Sequence, residues 1–185
     1  AGRTAATIDP LGYRTSYTYD AAGRRRAQIT PLGNTTTSVY DAAGRTTASE
    51  NPVGHRTTFG YDAAGRQVST TDAKGNVSTT VYDAAVRSVA QVDALGNHTT
   101  TTYDGAGRRI AVTDANAGIN TYTHDAAGRI IRQTDPLGRL TSFTYDAAGR
   151  QTTILDARGV CSTFQYDAAN RLTARESTND ATVTY

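Results

Sequence analysis

The motif Tyr-Asp-Ala-Ala-Gly-Arg returns every 21 residues, and no other feature constrains the fold as tightly. It stands unaltered at Tyr19, Asp20, Gly23 and Arg24; at Tyr40, Asp41, Gly44 and Arg45; at Tyr61, Asp62, Gly65 and Arg66; and at Tyr145, Asp146, Gly149 and Arg150. One residue differs in each of the copies that begin at Tyr82, Tyr103, His124 and Tyr166. A unit of 21 residues is too small to bury a core alone. Residues 1–185 are therefore read as one tandem array of about nine units, incomplete at its ends, in which stability comes from stacking neighbours.

A second motif alternates with the first. It begins as Asp9-Pro10-Leu11-Gly12 and returns at Thr30, Asn51, Asp72, Asp93, Asp135 and Asp156. All four prolines of the chain occupy its second place. Asp, Asn or Thr caps a type I turn through its side chain, Pro presets the next backbone angle, and Gly accepts the positive φ that closes the turn. Asp20-Ala21-Ala22-Gly23 fits the same template, so each unit carries two chain reversals.

Between the reversals lie short segments rich in Thr, Val, Tyr and Ile, such as 34–40 and 45–50. They lack helical periodicity and read as strands. The expected fold is all-β: an antiparallel β-hairpin meander of about seventeen strands, which at this length curves or spirals. A parallel solenoid is the competing architecture. It would stack like charges in columns, whereas a meander places a different strand between equivalent residues. The residue two before the motif Tyr shares its face, and there stand Tyr17, Phe59, Tyr122, Phe143 and Phe164. The opposite face carries Ser or Thr three before the Tyr, from Ser16 to Thr163.

Three places depart from the pattern. Val86 holds a left-handed Gly position, where a β-branched residue is strained, so that turn is expected to change type. Asn170 at the same place is tolerable. Ala117 replaces the Gly of the second motif with Gly118 following, so the Asp114 turn is expected to shift by one residue.

Composition narrows the function. The net charge is +2, and fourteen of fifteen Asp sit at fixed motif positions, so charge is periodic and mixed in sign. No basic run invites nucleic acid or an acidic membrane, and no apolar run is long enough to span one. Cys161 is the only cysteine, which leaves no disulfide framework. Neither end has the composition of a capping repeat, as expected of a piece of a longer polypeptide.

Tyr-Asp-x-x-Gly-Arg at this spacing, with Asp-Pro-x-Gly turns between, resembles the YD repeats of Rhs proteins, of the C component of insecticidal toxin complexes and of teneurins. The resemblance covers essentially the whole chain. It implies a β-strip wound into a hollow shell that, in bacterial members, encloses a toxic C-terminal domain and is exported or displayed at the cell surface. Asp135-Pro136-Leu137-Gly138-Arg139 is superficially similar to the self-cleaving element of such proteins. It sits in register with the ordinary turns, lacks the following Leu, and is read as a turn.

Other chemistry is sparse. The Asp and Arg of the first motif are four apart across a tight turn, which suits turn capping and an ion pair within or between hairpins. Eight copies argue against a catalytic site. The stripe from Tyr17 to Phe164 is read either as the packed face of the sheet or as a platform for cell-surface glycans. His55, His98 and His124 hold three different repeat positions and do not form a metal site. Cys161 has no His at repeat register, so no nucleophile is assigned. No enzyme activity, cofactor or metal is expected. The partners expected are the rest of a longer chain, an enclosed toxin domain, surface glycans in the second reading, and further copies through bare edge strands.

Overall fold

The structure is a computed structural model that describes residues 2–178 and, by backbone alone, 180–184. It divides into two compact units, Ala1–Asn97 and His98–Tyr185. The first holds β1 (Ala6–Ile8), β2 (Arg14–Tyr19), β3 (Arg25–Ile29), β4 (Thr35–Tyr40), β5 (Thr46–Glu50), β6 (Arg56–Tyr61), β7 (Gln67–Thr71), β8 (Val77–Tyr82) and β9 (Ser88–Val92). The second holds β10 (His98–Tyr103), β11 (Arg109–Thr113), β12 (Ile119–His124), β13 (Ile130–Thr134), β14 (Leu140–Tyr145), β15 (Gln151–Leu155), β16 (Cys161–Tyr166), β17 (Leu172–Ser177) and β18 (Asp180–Thr184). Within each unit every strand pairs antiparallel with the next in sequence, from Ala6 opposite Ser16 to Ala174 opposite Thr184. Each unit is thus an all-β meander, as the two turn motifs require.

Both reversals use one main-chain geometry. Gly23 N–H donates to the Asp20 carbonyl at 2.9 Å, and Asp20 N–H donates to the Arg24 carbonyl at 2.9 Å. Gly23 lies at φ +85°, which closes a type I turn. The turn at Asp9 repeats this with Gly12 N–H on the Asp9 carbonyl at 2.9 Å.

The expectations for Val86 and Ala117 are corrected. Val86 keeps the turn and takes φ +65°, its N–H on the Asp83 carbonyl at 3.1 Å. Ala117 takes φ +61°, and Asp114 N–H bonds the Gly118 carbonyl at 2.9 Å, so that turn stays in register. The flanking ladders on both sides fix the positions of residues 83 and 87, or 114 and 118, and the residue between must accept the strain. An L-residue there costs ~1–2 kcal/mol, and Gly returns part of the gain as unfolded-chain entropy. Val86→Gly is expected to stabilise by about 1 kcal/mol, read as a rise in melting temperature of about 3 °C.

A β-bulge beside each motif Tyr sets the register. In every hairpin that crosses the Tyr-Asp turn, pairing shifts by one residue just before the Tyr: Tyr19 faces Arg25, but Thr18 faces Ala27. Arg26 is the extra residue of this β-bulge, and the same shift follows in the equivalent hairpins of both units. Its consequence is arithmetic. Tyr17 pairs with Gln28, and Gln28 with Thr36, so the neighbour two strands on lies 19 residues ahead while the repeat is 21. Equivalent residues therefore step two positions along the strand per repeat. Without the bulge the step would be one, and successive tyrosines would fall on opposite faces.

Neither unit buries a thick apolar core. Among the described residues only Ala48 and Ala174 are buried apolar side chains.

Candidate functional site

The repeated Tyr, Asp, Gly and Arg converge where one hairpin meets the next. The turn places Asp20 so that Oδ1 accepts the Arg24 N–H at 2.9 Å and Oδ2 accepts Arg24 Nε at 2.7 Å. The same paired contacts recur from Asp41 and Arg45 to Asp167 and Arg171. The ion pair lies within one hairpin, as turn capping implies.

The guanidinium then reaches onward. In the first unit, Arg24 Nη1 donates to the Asp41 carbonyl at 2.8 Å, Arg45 to that of Asp62 at 3.4 Å, and Arg66 to that of Asp83 at 3.3 Å. Each also lies over the next motif Tyr: Arg24 on Tyr40 at 4.8 Å, Arg45 on Tyr61 at 4.7 Å, Arg66 on Tyr82 at 4.9 Å. In the second unit Arg108, Arg129 and Arg150 bond the carbonyls of Asp125, Asp146 and Asp167. Arg129 and Arg150 cover Tyr145 and Tyr166 at 4.7 and 5.1 Å.

The tyrosine closes the link in the other direction. Tyr40 Oη donates to the Arg25 carbonyl at 2.9 Å, Tyr61 to Thr46 at 2.7 Å, Tyr145 to Ile130 at 2.8 Å and Tyr166 to Gln151 at 2.9 Å. The steps onto Tyr40, Tyr61, Tyr82, Tyr145 and Tyr166 thus each join neighbouring hairpins by a charged hydrogen bond, a cation–π contact and a phenol hydrogen bond. Arg150 retains 27% exposure of its side chain under this cover, whereas Arg171, followed by the altered register of β17, retains 79%.

His124 is the exception. It holds a Tyr position, and its Nδ1 is buried without a partner. The carbonyl fifteen residues back, where a tyrosine would donate, is that of Arg109. His124→Tyr is expected to supply that bond and remove the orphaned nitrogen, for a gain of about 1 kcal/mol measured as a higher urea midpoint.

The motif carboxylates are held ionised. Asp20, Asp41, Asp62, Asp83, Asp104, Asp125 and Asp167 lie below the usual carboxylate range, chiefly through the backbone N–H of the Arg four residues on, with its guanidinium adding to the effect. In Asp146 the Arg150 side-chain bond is the larger cause. A carboxylate saturated in this way is a poor proton acceptor for catalysis.

At the opposite hairpin ends, Asp9 Oδ1 accepts the N–H groups of Leu11 and Tyr13, both at 2.9 Å. Asp135 pairs with Arg139, and Asp156 with Arg158, inside their own turns. Asp135-Pro136-Leu137-Gly138 is built as an ordinary turn, with Gly138 N–H on the Asp135 carbonyl at 2.9 Å.

Tyr17, Phe59, Tyr122, Phe143 and Phe164 are half-buried and share the face of the motif tyrosines. They do not line up across the strands. The neighbour of Tyr122 two strands on is Thr141, and that of Phe143 is Ser162, because of the two-residue step. Guanidinium groups already lie over two of these rings, Arg25 on Tyr17 at 5.7 Å and Arg109 on Tyr122 at 4.8 Å.

Sheets built of identical hairpins, each tied to the next by its own Arg and Tyr, define a tandem β-repeat protein. The family model described as RHS Repeat matches residues 1–35, 40–77, 82–119 and 124–160, and the chain belongs to that family. No curated protein matches it. Among solved structures, the crystal structure of TcdB2-TccC3 matches at 19% identity and TM-score 0.73, over 95% of this chain and 11% of that one. TcdB2-TccC3-TEV matches at 19% and 0.72, over 93% and 10%. TcdB2-TccC3-Cdc42 matches at 16% and 0.55, over 92% and 13%. The likeness is one of fold, and this chain spans about a tenth of the length of those it matches.

Proposed function

We propose that this chain is a stretch of wall in an Rhs-type shell, part of a longer exported polypeptide that encloses a toxic C-terminal domain until delivery. The observation that carries the reading is the ladder: motif charges are used to join hairpin to hairpin. Such a joint extends to any number of repeats. Membership of the RHS-repeat family and the fold likeness to part of the TcdB2-TccC3 chains support it. The mechanism is steric. A continuous sheet keeps the enclosed domain from substrates and proteases, and the residues Tyr40, Asp41, Gly44 and Arg45, with their equivalents, hold that sheet together. No step of bond chemistry is assigned to this stretch. The test is the intact mass of the native parent polypeptide with its co-purifying fragments. A parent several times larger that retains a cleaved C-terminal piece supports the wall. A free-standing product of about the present length contradicts it.

A further inference from the structure

The two faces of each sheet are chemically unlike. Residues two and four before the motif Tyr share its face, and those one, three and five before it lie on the other. The tyrosine face carries charge from repeat to repeat, with Arg24 over Tyr40, Arg45 over Tyr61 and Arg129 over Tyr145. The other face carries the aliphatic side chains. Ile8, Val39, Val77 and Val81 in the first unit are between 43% and 68% exposed. Ile119, Leu140 and Leu155 in the second are between 42% and 48% exposed. These are all the large apolar side chains that stand exposed on the described strands, and the register puts every one of them away from the tyrosines. Charge is sparse on that face. Glu50 stands directly opposite Arg56, while Arg14 in the first unit, and Arg132 and Glu176 in the second, are scattered over it.

We propose that the aliphatic face is the inner face of the wall, and that the enclosed C-terminal domain rests against it. This orientation rests on the chain being a stretch of wall. A wall of antiparallel sheet gives one of its faces to water. The charged tyrosine face suits water. A nearly neutral face with open aliphatic side chains suits contact with protein.

The aliphatic face is continuous. In β7, β8 and β9 it holds only Ser, Thr, Ala and Val, from Ser69 to Val92. Thr71 stands opposite Val77, Thr79 opposite Val92 and Val81 opposite Ala90. Residues paired in this way have Cβ atoms about 5 Å apart, so their methyl groups form one surface. Small side chains keep it level: Ala48, opposite both Val39 and Thr58, is only 2% exposed. Nine strands ~4.8 Å apart, each of about five residues at ~3.3 Å, give about 700 Å² in the first unit. With an equal area from the partner the contact comes to about 1,400 Å², within the range of stable specific interfaces. Apolar contact is non-directional, so such a lining holds an enclosed domain without demanding a particular sequence of it.

Cys161 stands opposite Leu155 on the aliphatic face and serves as a built-in reporter. The native parent polypeptide is treated with a maleimide tethered to a polymer too bulky to enter a closed shell, and the labelled residues are mapped by mass. Cys161 is expected to stay unlabelled until the parent is denatured. Ser78→Cys, at an exposed place on the tyrosine face, is expected to be labelled in the native state. A photo-reactive benzophenone side chain in place of Val81 is expected to cross-link to the C-terminal region. One in place of Thr36, on the tyrosine face, is expected to give no such cross-link. Native labelling of Cys161 with Ser78→Cys shielded overturns the orientation and leaves the wall standing. Native labelling of both removes the enclosure, and the proposal with it. Shielding of both overturns the orientation, since the tyrosine face is then covered as well. Cross-links from position 81 that reach only a second copy of the chain also overturn it.

Discussion

Arg45→Ala is expected to destabilise the array by about 2 kcal/mol, from the charged hydrogen bond to the Asp62 carbonyl and the cation–π contact on Tyr61. The loss is expected to exceed that of any single turn-tip substitution, because Arg45 makes three contacts, two of them to the next hairpin. It caps its own Asp41, bonds a neighbouring carbonyl and covers a neighbouring ring. Arg45→Lys keeps the charge but lacks the planar fork that serves Asp41 and Asp62 together, so it is expected to recover less than half of the loss. Urea unfolding followed by circular dichroism measures both variants. Equal stability of parent and Arg45→Ala would mean that the hairpins are held by their backbone ladders alone.

Acid is expected to dismantle the array cooperatively. Eleven aspartates have carboxyl groups below their ordinary value: Asp20, Asp41, Asp62, Asp72, Asp83, Asp104, Asp125, Asp135, Asp146, Asp156 and Asp167. A group depressed in the folded state contributes stability that is complete above its unfolded pKa, about 3.9 for Asp. That contribution disappears as pH falls through the lower folded value. The melting temperature should therefore be level between pH 6 and pH 8 and fall steeply from about pH 4 downward. For seven of the eleven the leading cause is a backbone N–H. Added salt should therefore restore little at neutral pH and leave the acid transition in place. A melting temperature that stays level down to pH 2 would contradict the proton linkage.

The turns were legible because their chemistry is local. Asp20 to Gly23 and Asp9 to Gly12 carry the cap and the left-handed residue within four positions, Pro10 presets the angle in the second, and the structure builds both turns so. The strands between them follow from the same punctuation. The bulge at Arg26 leaves only a trace in the spacing. An odd repeat of 21 keeps its tyrosines on one face only if the lateral step is even, and that requires one residue out of the ladder. The ladder itself was half legible. Asp20 with Arg24 reads directly as a capped turn, but the reach of Arg24 to Asp41 depends on the stagger between hairpins. The donation from Tyr40 to Arg25 spans fifteen residues and depends on it too. The same stagger offsets Tyr122 from Phe143, and Phe143 from Phe164, by two positions along the strands. Val86 and Ala117 differ from expectation because local strain yields to the two ladders that clamp each turn.

Protease protection of the parent polypeptide tests the enclosing wall most directly. The native parent and a version lacking the repeats are digested side by side, and the C-terminal region is followed by mass. A wall predicts a C-terminal region that survives inside the intact parent and is degraded once the repeats are removed, with Arg45→Ala and Arg66→Ala together hastening its loss. Equal digestion of the C-terminal region with and without the repeats would contradict enclosure.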